Sequence, residues 1–257
     1  MYPVLFKFGW ISIYTYGFFI ALGFIAGITL AKREAERLGE DANKIIDVAF
    51  YIIIAAILGS RLFYVAINYK IYIKDPLEIF KIWNGGLVFY GGFIAAVITS
   101  FIYLKKNKMP LCKTADIIAP SLAIGHSFGR IGCFFAGCCY GKECTLPWAV
   151  TFTNPDCLAP LGKPIHPTQL YSCLSNLVIF SILWLLRKRK KKDGQLFWLY
   201  VLLYGTVRSF MEMLRGDFRG ETVFGIFSIS QIIGITAAFT AIIILIYLGS
   251  SKNIEKE

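Results

Sequence analysis

Residues 125–141 read GHSFGRIGCFFAGCCYG and follow an apolar run that begins near residue 115. The stretch combines one histidine, one arginine and three cysteines with several glycines, at the end of a segment long enough to cross a bilayer. An ionisable group at membrane depth costs a few kcal/mol or more, so such residues are rarely kept without a partner or a task. We therefore interpret this stretch as the centre around which a membrane-embedded protein is built.

The composition is typical of a membrane protein. Of the 257 residues, 56% are hydrophobic, and the mean hydropathy is +0.61. That is too apolar for an ordinary soluble domain. The net charge of +11 comes from basic residues in short loops between apolar runs, which anionic lipid headgroups explain better than nucleic acid does. We predict membrane lipids as partners and no nucleic acid.

Seven apolar runs are long enough to span a bilayer, which takes roughly 17 to 25 residues each. They cover residues 12–31, 46–67, 86–104, 115–135, 170–186, 195–214 and 226–248. The predicted fold class is all-α, a polytopic membrane protein with about seven transmembrane helices in a single domain over residues 1–257. A re-entrant or broken end is one alternative for the fourth run, because it leads into the glycine- and cysteine-rich stretch.

Positive charge alternates between the predicted loops. The loops after the first, third and fifth runs and the C-terminal tail hold sixteen Lys and Arg, against eight in the N-terminus and the other three loops. The positive-inside rule places the more basic segments in the cytoplasm. We therefore expect the N-terminus outside and the C-terminus in the cytoplasm, with the segment after Arg130 toward the outer face.

Three arginines lie within or at the edges of predicted spans: Arg61, Arg130 and Arg208. One interpretation is that each reaches an interface or pairs structurally with a carboxylate. The other is that they bind phosphate, because a guanidinium group can clamp phosphate through paired N–H donors. Three such residues together favour a lipid headgroup site at the outer face.

The sixth run carries a regularly spaced polar set. Tyr204, Arg208 and Glu212 recur at intervals of four residues, which places them along one face of a helix. The pattern is typical of an internal Arg–Glu pair, and the same arginine can also hold a phosphate while the glutamate orients it. Both interpretations are compatible.

The two histidines of the chain are candidate general bases. His126 precedes Arg130 by four residues, and His166 begins the segment HPTQLY just before the fifth run. Imidazole is the side chain that most often takes up a proton near neutral pH. A hydrogen-bonded structural role is the alternative for each histidine.

Four of the seven cysteines lie within twelve residues: Cys133, Cys138, Cys139 and Cys144. Their spacing matches neither the paired ligands of a structural zinc site nor the Cys-x-x-Cys of redox proteins. We therefore predict no metal site. A disulfide at the outer face and simple packing of small side chains both stay open.

Taken in order, these motifs resemble the bacterial phosphatidylglycerol–prolipoprotein diacylglyceryl transferases. The resemblance covers nearly the whole chain and rests on short motifs: Tyr16-Gly17, GSRLFY at 59–64, WNGG at 83–86, Gly91-Gly92, GRIG at 129–132, HPTQLY at 166–171, and YGTVR at 204–208 with Glu212 and Arg215. It implies a multi-pass enzyme of the bacterial cytoplasmic (inner) membrane without a cofactor.

The implied reaction joins a lipid to a protein. The diacylglyceryl group of phosphatidylglycerol moves to the lipobox cysteine thiol of a prolipoprotein, which forms a thioether and releases glycerol phosphate as the first step of lipoprotein maturation. The implied partners are therefore phosphatidylglycerol and prolipoprotein signal peptides.

The resemblance also implies roles for individual residues. Arg130 and Arg208 match positions that handle the phosphate, and Glu212 matches the carboxylate beside the second arginine. Tyr16 matches a tyrosine that lines the lipid cavity. We expect further substrate contacts from the matching motifs and their neighbours: Arg61, Gly141, Tyr204 and His166.

The chain departs from the usual family pattern before the third span. The family usually has a histidine there, where this chain reads Phe89-Tyr90-Gly91-Gly92, and a tyrosine with a pKa of about 10 is a poor base at neutral pH. We hypothesise that His126 acts as the base and that Tyr90 hydrogen-bonds the substrate. Two alternative functions stay open: the same fold acting on a different acceptor, and a lipid-binding or redox membrane protein that uses its cysteines.

Overall fold

The computed structural model describes residues 1–9, 11–73, 75–82, 85–217 and 227–250. Within these ranges the chain forms eight α-helices: α1 (Thr15–Arg37), α2 (Ala42–Ile67), α3 (Tyr69–Tyr72), α4 (Phe89–Lys106), α5 (Leu111–Ala136), α6 (Thr168–Leu186), α7 (Gln195–Leu214) and α8 (Ile229–Ser250). A short 3-10 helix covers Pro76–Phe80. Four strands form two small antiparallel sheets: β1 (Val4–Phe8) with β2 (Ile11–Tyr14), and β3 (Val150–Thr151) with β4 (Pro164–Ile165).

Each of the seven apolar runs coincides with one long helix, which confirms the helical fold class. Four of these helices, α1, α2, α6 and α8, are long and apolar enough to cross a membrane. The other three are less apolar for visible reasons. Two lysines end α4, whereas α5 and α7 carry ionisable side chains within their length.

The first helix begins later than the sequence predicts. The run expected from residue 12 opens with β2, which pairs with β1 in the register Phe6↔Ile13. The turn between the strands includes Gly9 at a φ of +56°, a conformation that glycine adopts without steric cost. Thr15 then donates its backbone N–H to the carbonyl of Pro3 at 2.9 Å, so the hairpin is fastened to the start of α1.

The fourth run forms one continuous helix and does not end as a broken segment. Helix α5 continues to Ala136 although it contains Pro120. Irregular backbone begins only at Gly137, whose φ is +74°. The glycine- and cysteine-rich sequence therefore divides between the last turns of α5 and the loop that follows.

Backbone contacts divide the described chain into two compact units. One comprises the described residues of Met1–Ala31 and Ala115–Glu257, and the other those of Lys32–Thr114.

In the first unit, glycines let helices approach closely. A Cβ added at Gly23 would lie 2.9 Å from the carbonyl oxygen of Gly125, so α1 and α5 touch backbone to backbone there. A Cβ at Gly205 would lie 2.7 Å from the carbonyl oxygen of Gly234, which gives α7 and α8 the same kind of contact. Small residues at such crossings are how helices associate within membranes.

A small apolar core joins α5, α6 and α7. Its buried members are Ala119, Ala123, Ile179, Leu183 and Leu196. The buried carboxylate of Asp116 lies at the same end of α5 and accepts backbone N–H bonds from Gly194 and Phe197, at 2.8 and 2.9 Å. It also pairs with Lys190 at 2.9 Å. These contacts fix the start of α7 against α5 and so align the faces that carry the candidate residues.

In the second unit, α2 and α4 cross at glycines. A Cβ at Gly59 would meet the side chain of Ala95 and the carbonyl oxygen of Gly91, the latter at 2.7 Å. A Cβ at Gly92 would meet the hydroxyl of Ser60. The Gly91-Gly92 pair therefore serves close helix packing, because a larger side chain could not be accommodated without separating the two helices.

Candidate active site

Three helices of the first unit line a small cavity. The side chains come from α5, α6 and α7: His126, Arg130, Ser172, Asn176, Tyr204, Val207, Arg208 and Met211. The structure thus brings together four residues that the sequence singled out on two separate helices, namely His126, Arg130, Tyr204 and Arg208.

Arg130 is held by a side chain from the preceding turn. Its Nε donates a hydrogen bond to Nε2 of His126 at 3.2 Å, as residues four apart on a helix can do. A ring nitrogen that accepts a hydrogen bond carries no proton, so this geometry assigns the proton of a neutral His126 to Nδ1. The His126 ring also lies 5.1 Å from the Tyr204 ring, measured between centroids, which links α5 to α7.

Arg208 and Glu212 form an ion pair within α7. Their side chains are only 13% and 8% exposed, so the ion pair is largely buried. The pair uses Nη1 of the guanidinium, whereas the group carries five N–H donors in all. Arg208 can therefore hold Glu212 and still have N–H donors left for another partner. The predicted placement of Tyr204, Arg208 and Glu212 on one helix face is confirmed, because α7 is continuous through all three.

Three thiols come together where α5 ends. The Sγ atoms of Cys133, Cys138 and Cys139 all lie within 4.8 Å of one another, and none of the seven cysteines, which all fall within the described residues, is joined in a disulfide. Hydrogen bonds from the Cys133 and Cys138 thiols lower the pKa of the Cys139 thiol, and the nearby Arg215 guanidinium lowers it further.

Tyr16 packs beside this cluster from the first turn of α1. A Cβ added at Gly132 would lie 3.2 Å from both Cα and the ring Cδ2 of Tyr16. Gly132 stands two residues after Arg130 and next to Cys133, so the close approach of α1 and α5 is what brings the predicted lipid-facing tyrosine to this end of the site.

Gly141 and His166 meet in the loop that joins α5 to α6. The N–H of Gly141 donates to the carbonyl of His166 at 3.1 Å, and the N–H of His166 donates to the carbonyl of Lys142 at 3.0 Å. Gly141 also forms an isolated β-bridge with Arg215. A Cβ at Gly141 would lie 2.5 Å from the Cβ of His166, so only glycine fits. Nδ1 of His166 is 3.4 Å from the hydroxyl of Tyr171.

Two of the predicted site residues belong to the second unit. The buried Arg61 donates to the carbonyl oxygens of Glu78, Ile79, Gly85 and Gly86, at 2.5, 2.9, 2.7 and 3.3 Å. That arrangement is typical of a structural arginine, and its role in substrate binding stays a prediction. Tyr90 lies in the first turn of α4 and is 47% exposed.

The sequence reasoning missed several cavity residues, of which Asn176 is the clearest. Its Nδ2 donates to the carbonyl of Ser172 at 2.7 Å, and its buried Oδ1 has no hydrogen-bond partner within the described part of the chain. A polar amide within the apolar run 170–186 was the available signal. Arg215 was noted only within a motif, yet it is buried and pairs with Asp217, with Nε to Oδ1 at 2.8 Å.

Comparison with known proteins gives a family assignment. Residues 3–247 match the sequence model of the family described as prolipoprotein diacylglyceryl transferase. The chain is 42% identical over 244 residues to the phosphatidylglycerol–prolipoprotein diacylglyceryl transferase of Clostridium tetani, covering 95% of each chain. It is 37% identical over 237 residues to the enzyme of that name from Finegoldia magna, covering 92% of this chain and 91% of the relative.

A third relative carries the same name with the number 2. This protein, from Clostridium perfringens, is 36% identical over 226 residues, covering 88% of this chain and 87% of its own length. The cavity residues and the cysteine cluster all lie within the region that the family model matches. The chain therefore belongs to the prolipoprotein diacylglyceryl transferase family.

Proposed function

We propose that this protein transfers the diacylglyceryl group of phosphatidylglycerol to the thiol of a prolipoprotein lipobox cysteine. The observation that carries the proposal is the meeting of Arg130 and Arg208 in one cavity, in a chain whose relatives are named for this reaction. Two guanidinium groups that face one cavity suit a phosphate.

The reaction is an attack by sulfur on carbon. The thiolate forms a C–S bond with the glycerol carbon, the bond from that carbon to the phosphate oxygen breaks, and glycerol phosphate leaves with the bonding electron pair. Three tasks follow: the thiol must lose its proton, the leaving phosphate must be stabilised, and sulfur and carbon must be aligned.

Arg130 and Arg208 are proposed to stabilise the leaving phosphate. Both are carried on long helices and fixed by a neighbour one turn away, His126 for Arg130 and Glu212 for Arg208. The Arg208–Glu212 pair can stay intact when an anion binds, and donors fixed in this way stabilise developing charge without having to reorganise during the reaction. Arg130 is held by His126 only until it turns to the phosphate. Glu212 is accordingly proposed to orient Arg208 rather than to contact the reacting carbon.

His126 is proposed as the general base. Its Nε2 carries the lone pair that a base needs, and Arg130 occupies that lone pair in the resting structure. When Arg130 turns its donors to a bound phosphate, Nε2 becomes available to accept the proton of the thiol. Binding of the lipid would then precede deprotonation of the thiol. Tyr90 is proposed to hydrogen-bond the substrate.

The remaining predicted contacts are proposed to bind the two substrates. Tyr16 and Tyr204 suit the glycerol and acyl region, because each offers an apolar ring with one hydroxyl. Gly141, His166 and Arg61 are proposed as further substrate-binding residues, the first two through the loop between α5 and α6. No cofactor is required for the displacement.

The proposed setting is the bacterial cytoplasmic (inner) membrane, with seven spans in a single integral domain. The distribution of Lys and Arg between the loops supports an outer N-terminus and a cytoplasmic C-terminus. Exposed apolar side chains along α2 and α8, including Phe50, Leu58, Phe239 and Ile246, are suited to contact with lipid tails. Prolipoprotein signal peptides would reach the site from the outer leaflet.

A transfer assay tests the function. The full chain in phosphatidylglycerol-containing micelles is given a lipobox peptide, and transfer of acyl-labelled diacylglycerol to the peptide is measured. Arg130→Ala and Arg208→Ala should each lower the rate by about 10²-fold or more, because each removes a fixed donor to the leaving group. The exposed Arg189 provides the matched control, and Arg189→Ala should leave the rate unchanged.

Donor and acceptor controls define the reaction. Phosphatidylethanolamine in place of phosphatidylglycerol, or a peptide with serine in place of the lipobox cysteine, should give no product. The proposal would be wrong if the folded wild-type chain transferred nothing while a working relative was active under the same conditions. Equal rates for wild type and both arginine variants would also contradict it.

A further inference from the structure

The thiols of Cys133, Cys138 and Cys139 form a compact triangle of soft ligand atoms. Each pair of Sγ atoms is within 4.8 Å. Zinc–thiolate bonds of about 2.3 Å in tetrahedral geometry separate the sulfur atoms by about 3.8 Å. The observed triangle is therefore close to the size that one metal ion needs. Small rotations of the side chains would bring the sulfur atoms to the required separation.

The backbone is shaped so that two consecutive cysteines face the same point. Cys139 adopts a φ of +61°, and Gly137 adopts +74°. A positive φ is uncommon for any residue other than glycine and costs of order 1–3 kcal/mol. In extended chain, Cys138 and Cys139 would point to opposite sides. The left-handed residue reverses that alternation, which removes the usual objection to adjacent cysteines as ligands of one ion.

The first residues of α6 hold this turn in place. The hydroxyl of Thr168 donates to the carbonyl of Cys139 at 2.8 Å, and Nε2 of Gln169 donates to the carbonyl of Cys138 at 2.9 Å. Both side chains are only 1% exposed. Buried donors that bond the backbone of the ligand residues fix a site before the ion arrives, as supporting hydrogen bonds do around known metal sites.

The charge around the triangle also suits a metal–thiolate complex. Three thiolates and one divalent ion carry one net negative charge. Arg215 is 8% exposed, pairs with Asp217 and is placed to interact with Cys139, so its guanidinium offsets the charge of the complex in part. Deprotonated thiols are the form that binds metal.

We propose that Cys133, Cys138 and Cys139 bind one thiophilic d¹⁰ metal ion of the Zn²⁺ and Cd²⁺ class. Soft thiolate ligands select such ions. With three protein ligands, a tetrahedral ion keeps a fourth position for water or another small ligand. The site uses none of the side chains to which the proposed reaction is assigned, and its test does not depend on transfer activity.

A disulfide explains the cluster less well. Cα atoms joined by a disulfide are usually about 4.4–6.8 Å apart, whereas adjacent residues such as Cys138 and Cys139 are about 3.8 Å apart. A disulfide from Cys133 to Cys138 or to Cys139 would leave the third thiol outside the bond and would need an external oxidant. A metal ion uses all three sulfur atoms at once.

Cadmium titration tests the proposal, because thiolate-to-Cd²⁺ charge transfer absorbs in the ultraviolet. The full chain is purified in micelles, reduced with a phosphine, separated from the reductant and titrated with CdCl₂. The band should saturate at one Cd²⁺ per chain and should be displaced by ZnCl₂. Cys133→Ser, Cys138→Ser and Cys139→Ser should each weaken binding by at least about tenfold. Cys144→Ser is the matched control, because Cys144 is near in sequence but outside the triangle, and it should bind Cd²⁺ as the wild type does.

A second measurement uses the wild-type chain alone and so does not depend on the folding of variants. The protein is alkylated with and without Cd²⁺, and each cysteine is mapped by mass spectrometry. Cd²⁺ should protect Cys133, Cys138 and Cys139 and leave the exposed Cys112 reactive. The proposal would be overturned by no stoichiometric binding, or by protection that did not distinguish these three cysteines from Cys112. Recovery of an oxidised cysteine pair that takes up no Cd²⁺ after reduction would also overturn it.

Discussion

Arg130 and His126 share one hydrogen bond, and this bond couples the two tasks of the proposed reaction. Nε of Arg130 donates to Nε2 of His126, so the arginine that would bind phosphate also blocks the lone pair that would take the proton of the thiol. A phosphate that draws Arg130 away would expose the base only when the lipid is present. Deprotonation of the peptide thiol would thereby be tied to occupancy of the lipid site.

Substitutions at His126 separate this proposal from a purely positioning role. His126→Ala removes both the acceptor for Arg130 and the base, whereas His126→Gln keeps an oxygen acceptor without a useful base. We expect both variants to lose about 10²-fold or more in kcat, the size of a general-base contribution. The measurement is the transfer rate at saturating lipid and peptide. A His126→Gln variant with nearly full kcat would show that the residue only positions Arg130.

A substitution at Tyr90 tests whether this residue contributes only a hydrogen bond to the substrate. If Tyr90 contributes one hydrogen bond to the substrate, Tyr90→Phe removes about 0.5–1.5 kcal/mol and should lower kcat/KM by less than about tenfold. Steady-state kinetics over a range of peptide concentrations measures this. A loss as large as that of His126→Ala would transfer the role of base to the tyrosine.

Gly141 is expected to be intolerant of any side chain. A Cβ there would meet both the Cβ of His166 and, at 2.6 Å, its carbonyl oxygen, and overpacking of this kind costs about 1–3 kcal/mol. Gly141→Ala should lower the thermal midpoint of the protein in micelles and the transfer rate together. Gly249 has open space around it, so Gly249→Ala is the control and should leave both unchanged. Unchanged stability in Gly141→Ala would mean that the loop is not packed as described.

At the scale of the elements, Asp116 joins α5 to the start of α7. It is 1% exposed and bonds Lys190, Gly194 and Phe197. Asp116→Asn removes the buried ion pair and should cost about 1–3 kcal/mol, seen as a lower midpoint in a tryptophan-fluorescence melt. Asp193 also pairs with Lys190, but its side chain is 51% exposed. Asp193→Asn should therefore have little effect, and equal losses in the two variants would contradict this account.

The pH dependence of this ion pair has a definite sign. Burial lowers the pKa of Lys190, but hydrogen bonds from Lys190 to Asp193 and Asp116 outweigh burial and raise the pKa above its ordinary value of 10.5. A raised pKa in the folded state gives stability that is present below the ordinary pKa and lost as the pH rises through the raised value. The midpoint difference between wild type and Asp116→Asn should therefore stay constant from about pH 7 to 9 and shrink at strongly alkaline pH.

Apolar runs predicted the long helices well, because the apolar residues that suit contact with lipid are also the residues that form these helices. Helix α7 occupies the run 195–214 and α6 begins two residues before the run 170–186. The ends were harder to predict. Helix α1 continues through polar residues to Arg37, since a helix can extend beyond the apolar part of its sequence, and β2 replaced the start of the first run because strand pairing is not visible in hydropathy.

At the scale of the whole molecule, the proposed topology places the C-terminus in the cytoplasm. A green fluorescent protein fused after Glu257 should fluoresce, and alkaline phosphatase fused at the same position should be inactive, because each folds actively on only one side of the membrane. The reverse result would invert the topology and place the α5–α6 loop on the cytoplasmic side. Fusions within that loop, after Leu161, should give the opposite pattern and serve as the control.

The candidate site could be predicted where it follows helical periodicity and could not where it depends on loops. Helical spacing alone placed His126 and Arg130 on one face of one helix, and Tyr204 and Arg208 on one face of another. The structure joins these two helix faces in one cavity. The thiol triangle escaped prediction because it needs a left-handed Cys139, and metal-ligand spacing rules assume that adjacent residues point apart. Arg61 was predicted to contact the substrate because it is a charged residue in an apolar run. In the structure its guanidinium bonds backbone carbonyls, and the sequence alone does not distinguish these two roles.

The bonds made by Arg61 bear on how this protein can diverge among species. The guanidinium holds Glu78, Ile79, Gly85 and Gly86 by main-chain carbonyls, which every amino acid supplies. The side chains at positions 78 and 79 can therefore change by substitution while the arginine keeps its hydrogen bonds. Gly85 and Gly86 are the exceptions, because both adopt a positive φ, of +81° and +75°, and a Cβ at Gly86 would also lie 2.7 Å from Nη1 of Arg61. An arginine and two glycines could thus persist as a co-inherited set within an otherwise variable loop.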